Sequence, residues 1–102
     1  MIIYNVTIKL EEAIHEPWLA WMKEEHIPDV INTGCFTKAT ILRLMEIDDS
    51  EGPTYAIQYL AENKDLYESY IEKFAPEMRQ RLINKFGNSF VAFRSEIGRA
   101  HV

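Results

Sequence analysis

His26 stands beside Glu25, with Asp29 one helical turn further on. A carboxylate close to an imidazole can orient the ring and raise its pKa for acid–base work. The plainer reading is a histidine at a helix margin, bonded to backbone that Pro28 leaves unpaired. Tyr59 is the other residue suited to acid or base chemistry. Arg94 offers a planar fork that suits a carboxylate or phosphate. Its alternative is an ion pair with Glu96, Glu46 or an acid of a second subunit. Asn5 and Gln58 supply amides on neighbouring strands. Trp18 and Trp21 can stack on an aromatic ligand or pack a helix onto a sheet. His15 and His101 lie in a connector and near the end of the chain, so neither is spaced to share a metal with His26. The acids of Glu24-Glu25 and Asp48-Asp49 fit no ligand template and read as solvated faces. No metal or cofactor is therefore expected.

These side chains need strands and helices to place them. Ile2 to Leu10 alternates: Tyr4, Val6, Ile8 and Leu10 point one way, and Ile3, Asn5, Thr7 and Lys9 the other. Pro17 suits a first helical turn. Leu19, Met22, His26 and Val30 then recur at helical steps, flanked by Trp18, Trp21 and Glu25. Pro28 predicts a kink near Glu25 or a restart at Pro28, and Gly34 closes the helix. Alternation returns from Phe36 to Ile47, and the acidic turn from Asp48 to Pro53 joins it to a strand over Thr54–Ala61. Asn63 reads as an N-cap for a second helix carrying Tyr67, Tyr70, Ile71, Phe74, Met78, Leu82 and Phe86, interrupted at Pro76 and closed by Gly87. Ser89 to Ile97 is the last strand. Residues 1–98 form one domain and 99–102 a frayed C-terminal tail.

The order β-α-β-β-α-β, joined by short right-handed connections, gives a ferredoxin-like α+β sandwich. Four antiparallel strands, in the order four-one-three-two, carry two helices on one face. The other face is then expected to show Ile3, Asn5, Thr7, Ala56, Gln58, Phe90, Ala92 and Arg94. That set is too apolar for a solvated surface and too polar for a dry core. It fits a homodimer in which two sheets meet, a ligand cleft, or both, since facing sheets can enclose a cavity.

Composition narrows the partners. The chain has 102 residues, 47% of them hydrophobic, which is ample for a single core. With 16 acids against 11 bases the net charge is −5, and the bases are scattered. Duplex nucleic acid and anionic membrane surfaces are disfavoured. RNA-recognition domains share the element order but need aromatics on the third strand where Thr54 and Ala56 stand. Cys35, the lone cysteine, permits no intrachain disulfide and suits a reducing cytoplasm. The opening Met-Ile-Ile-Tyr-Asn-Val has no basic region or long apolar run, so neither a signal peptide nor a membrane anchor is expected.

Trp18 and Trp21-Met22, His26-Ile27-Pro28 and Thr33-Gly34 resemble the opening of a bacterial domain-of-unknown-function family of about this length. Thr54 to Tyr59, Phe74-Ala75-Pro76 and Phe90 to Arg94 extend the resemblance over nearly the whole chain. That family is similar to the dimeric α/β-barrel superfamily, which includes antibiotic-biosynthesis-type monooxygenases, haem-degrading enzymes and stress-responsive barrels. The resemblance implies a dimer with a cavity over the sheet and assigns no activity. Cofactor-free oxygenases and haem degraders there use a first-strand Asn, a strand Trp and a second-helix His. Asn5 matches the first; the strand tryptophan and the second-helix histidine are missing.

The leading expectation is a cytoplasmic homodimer binding a small molecule through Asn5, Gln58 and Arg94. A cofactor-free monooxygenase- or isomerase-like enzyme using His26 or Tyr59 is the alternative. A structural or partner-binding dimer without a ligand is the third.

Overall fold

β1 (Ile2–Leu10) runs between β3 (Thr54–Ala61) and β4 (Phe90–Gly98), while β2 (Lys38–Arg43) pairs with the outer side of β3. The order is β2-β3-β1-β4, every neighbour antiparallel, as the β-α-β-β-α-β pattern implies. The sheet is open, with β2 and β4 at its edges. The computed structural model describes residues 1–98; the expected tail and His101 lie outside the described residues.

The first helical segment bends its winding to suit its sequence. After a 3-10 turn at Glu12–Ile14 come α1 (His15–Trp21), a π-helical turn (Met22–His26) and α2 (Ile27–Asn32). Trp18, Met22, His26 and Val30 are all buried. They recur every four residues, and in an α-helix each such step overshoots a full turn by about 40°. Three steps would carry Val30 roughly 120° away from Trp18. The wider π turn removes that drift and returns all four to the sheet. Trp18, rather than Leu19, therefore heads the buried stripe. Pro28 sits in the first turn of α2, so the helix restarts where its missing donor costs no bond. Gly34 closes it at φ 80°.

α3 (Lys64–Lys73) begins on Asn63, whose Oδ1 accepts a 2.9 Å hydrogen bond from the Leu66 amide. Such a cap is worth about 1 kcal/mol. Phe74 breaks the helical path at φ −120°, and α4 (Ala75–Phe86) restarts with Pro76 in its first turn. Tyr70, Ala75, Met78 and Leu82 turn inward to meet Tyr4, Val6, Ile8, Tyr55, Ile57 and Tyr59 of the sheet. This helix-to-sheet layer is the core.

Two expectations about strands are corrected. The second strand ends at Arg43 instead of Ile47, because Glu46 takes a positive φ of 57° that no ladder accommodates. Met45 and Ile47 are left exposed in the loop. The faces of β4 are also the reverse of those expected. Val6 pairs with Arg94 and Leu10 with Phe90, while Thr7 pairs with Phe93 and Lys9 with Val91. Directly paired residues share a face, so Phe90, Ala92 and Arg94 look toward the helices. Val91, Phe93 and Ile97 join Ile3, Asn5 and Thr7 on the uncovered face. Alternation marks Val91, Phe93 and Ile97 as the more apolar side of β4, yet its docking on β1 turns that side outward; a one-residue difference in register flips a whole strand.

Candidate functional site

Polar side chains from the sheet and the helices gather around one cavity between them. β1 and β3 project Tyr4 and Tyr59 toward the helices, their ring centroids 6.1 Å apart. Tyr70 of α3 lies 5.6 Å from Tyr4. The π turn brings in Met22 and His26, α4 supplies Met78, Arg79 and Leu82, and β4 supplies Arg94. Together with Val6, Ile8 and Ile57 they line a space of about 30 Å³, room for roughly two water molecules. Half-buried Arg79 and exposed Arg94 stand at the margin, so the space is reached from the solvent beside them.

Of the residues expected at a site, His26, Tyr59 and Arg94 come together here. Asn5 and Gln58 do not. They lie on the uncovered face, where Gln58 Nε2 donates to Asn5 Oδ1 at 3.4 Å and Asn5 Nδ2 donates to Thr7 Oγ1 at 3.0 Å. The expected trio of Asn5, Gln58 and Arg94 is thus split by the sheet, for the reason of register given above. Gln58 instead borders an open hollow of about 160 Å³ with Ile3, Lys38, Thr40 and Leu60. Tyr4, Tyr70 and Arg79 were absent from the sequence candidates. The two tyrosines had a signal: phenols on apolar stripes that face each other must find partners for their hydroxyls. Arg79 had none, because its position depends on how α4 restarts after Phe74.

Electrostatics sets what the groups can do. Burial lowers the His26 pKa from 6.5 to about 4; Asp29 opposes the shift and Arg81 reinforces it. Asp29 does not orient the ring, since it pairs with Arg81 at 3.2 Å, and Arg81 also bonds Glu77 at 2.9 Å. The imidazole stacks on Trp21 with centroids 4.7 Å apart, and its Nδ1 is buried without a partner. Burial, with Tyr70 and Tyr4 close by, raises the Tyr59 pKa well above the usual phenol range. Burial raises Tyr70 too, against the pull of Arg79 and Arg94. At neutral pH the cavity therefore holds a neutral imidazole and the protonated phenols of Tyr59 and Tyr70, with two guanidiniums at its margin.

The lowered His26 pKa has a consequence for stability. Between about pH 4 and 6.5 the unfolded chain binds a proton at this site and the folded chain does not, so stability rises with pH across that window. The full contribution, about 3 kcal/mol, is present above pH 6.5 and is lost on acidification toward pH 4. The urea midpoint of the protein is expected to fall over that range, and His26→Gln to flatten the fall. Equal slopes in the two proteins would remove His26 as the source.

The other aromatic and histidine candidates have structural roles. Trp18 is fully buried and packs on Tyr55 at 5.1 Å between centroids. His15 Nε2 meets the Tyr55 hydroxyl at 2.7 Å, and its Nδ1 lies 3.7 Å from Glu12. Trp21 sets its edge against Phe86 and, with His26, separates the inner cavity from an outer hollow lined by Asp29, Arg81 and Lys85. Among the described residues no helix is long and apolar enough to cross a membrane.

Solved structures share this architecture. A dimeric ferredoxin-like protein from an uncultured marine organism superposes with a TM-score of 0.70 at 10% identity, covering 94% of this chain and 92% of its own. An ethyl tert-butyl ether d (EthD) family protein from Bacillus halodurans gives 0.64 at 8% identity, with 93% and 97% covered. A monooxygenase from the gene ActVA-Orf6 of Streptomyces coelicolor, solved with the ligand nanaomycin D, gives 0.60 at 13% identity, with 99% and 90% covered. At these identities the likeness establishes the fold alone. No curated protein sequence matches the chain significantly. The family described as "Domain of unknown function (DUF4286)" matches residues 1–99, nearly the whole sequence, and the chain belongs to that family.

Proposed function

We propose that this protein is a homodimer, joined through its uncovered sheet face, that binds a small organic molecule between the sheet and its helices. The observation that carries the binding reading is the convergence of Tyr4, Tyr59, Tyr70, His26, Arg79 and Arg94 on one cavity of an otherwise apolar core. Buried polar groups are costly unless bonded. Here His26 Nδ1 and Arg79 Nε are both buried and unpartnered. The dimer reading is supported by the apolar uncovered face and by relatives of the same fold described as dimeric. Buried, unpaired Cys35 suits a reducing cytoplasm.

Acid–base catalysis is the second reading, because His26 and Tyr59 do share the cavity with Arg94. General bases work best with a pKa near the operating pH. His26 is too weak a base at neutral pH and Tyr59 too weak an acid, so binding is preferred over catalysis.

A metabolite screen by thermal shift tests the binding reading. A ligand present at a hundred times its Kd adds about 2.7 kcal/mol to stability. The methionine methyl groups then locate each hit: Met22 and Met78 line the cavity, whereas Met45 is 74% exposed in the β2–β3 loop. A hit is expected to move the Met22 and Met78 signals and leave Met45 in place. A screen whose hits all spare Met22 and Met78 would sink the proposal.

A further inference from the structure

We propose that the molecule held in this cavity is a small carboxylate whose head group sits between Arg79 and Arg94. The inference rests on the cavity reading above and adds the chemistry of the ligand. It begins with how the arginines are employed. Arg43 is paired with Asp49, and Arg81 with Asp29 and Glu77. Neither Arg79 nor Arg94 belongs to an ion pair among the described residues. The polar bond of Arg79 is a 3.3 Å donation from Nη2 to the Tyr4 hydroxyl, and its Nε is buried with no acceptor. In a chain of net charge −5, two guanidiniums border one cavity with no anion paired to them among the described residues. Glu96 shares the helix-side face of β4 with Arg94, yet it is exposed and pairs with neither arginine.

Hydrogen-bonding capacity points the same way. The ionisable and hydroxyl side chains lining the space are two guanidiniums, three phenols and one imidazole, with no carboxylate among them. Guanidiniums only donate, and a phenol has a proton to give. Such a lining suits a ligand group that only accepts. Size selects among such groups. The space holds roughly two water-sized atoms, which matches the two oxygens of a carboxylate better than the four of phosphate or sulfate. A planar carboxylate also meets a guanidinium through two parallel bonds. The rest of the molecule would extend outward past exposed Arg94.

Benzoate and its neutral counterpart benzamide, with sulfate as a third compound, test this on the full chain at constant ionic strength. Titrations are followed through the arginine Nε–H and methionine methyl signals. Benzoate is expected to move Arg79, Arg94, Met22 and Met78 saturably and to leave ion-paired Arg81 unmoved. Benzamide is expected to bind at least about tenfold more weakly, since a charge-assisted bond is lost. Arg94→Gln should weaken benzoate by about tenfold or more without changing Tm, because Arg94 is exposed. Benzamide binding as tightly as benzoate, with the same methionine shifts, would overturn the carboxylate inference and leave the cavity reading standing. Sulfate matching benzoate at the same signals would also overturn it, in favour of a general anion site. If none of the three moves Arg79 or Arg94, the inference fails; the cavity reading is then judged on the methionine signals in the metabolite screen.

Discussion

Gly52→Ala is expected to destabilise the fold more than any other replacement of a glycine by alanine in residues 1–98. Gly52 has φ 149°, and a Cβ there would stand 1.9 Å from the backbone oxygen of Leu10 and 2.8 Å from the amide nitrogen of Glu12. Both obstacles are backbone, so no side chain can swing aside. The loop is also pinned to the end of β1: the Leu10 amide donates to the Pro53 carbonyl at 2.9 Å, and the Glu12 amide to Glu51 at 3.0 Å. Moving the loop away to admit a methyl group breaks those bonds. A cost of about 3 kcal/mol is expected, which in a domain of this size lowers Tm by roughly 12–24 °C. Gly34→Ala is the control. It has a positive φ of 80° but nothing within 4 Å of the new Cβ, so only the backbone penalty of about 1 kcal/mol applies. Equal losses in the two variants would show that the contact with Leu10 plays no part.

Phe93→Asp is expected to separate the proposed dimer. Phe93 is 66% exposed in the single chain, on edge strand β4 and on the face that also shows Val91, Ile97 and Leu42. Light scattering of the unaltered protein at micromolar concentration should give twice the 12.0 kDa chain mass. Placing a carboxylate in the proposed interface, and removing the ring that would fill it, costs about 4 kcal/mol. That corresponds to roughly a thousandfold weaker association. The variant should remain folded, because its side chain makes no contribution to the helix-covered core. Arg94→Gln, on the opposite face of the same strand, should leave the mass unchanged. An unaltered protein that is monomeric, or a Phe93→Asp variant that stays dimeric, would contradict the proposed interface.

The contrast between Phe93 and Arg94 marks where reading the sequence stops. Alternation in β1 was legible because one of its faces is plainly apolar and the other mixed, and the pairing confirms Tyr4, Val6, Ile8 and Leu10 on the inner side. The Asn63 cap, the Pro28 restart and the Gly34 close were legible because each is a local backbone requirement. The parity of β4 is not local. It is decided by where the strand docks on β1, which leaves the more apolar side of β4 (Val91, Phe93 and Ile97) on the uncovered face, against what hydrophobicity alone suggests. The candidate site inherited the error, since Arg94 went with Asn5 and Gln58. His26, Tyr59 and Arg94 were each singled out from sequence, yet their shared cavity emerges only once the helices lie across the sheet. Arg79, the group with the clearest unmet bonding need, has no sequence pattern of its own.

The π turn at Met22–His26 also governs which changes of length this protein can tolerate. Its extra width amounts to one residue beyond what an α-helix would use to cover the same arc. Deleting a single residue there would let the segment wind as a regular α-helix: Val30 would follow Trp18 by eleven steps of about 100°, within about 20° of whole turns, and keep its inward face. A second deletion, or an insertion, has no such slack: it would turn everything downstream by about 100° and bring an exposed neighbour into the place of Val30, although no buried side chain had itself been altered. Changes of length in descendants of this chain should therefore collect in the loop between β2 and β3 and, in the span from Trp18 to Val30, be confined to the loss of one residue at the π turn.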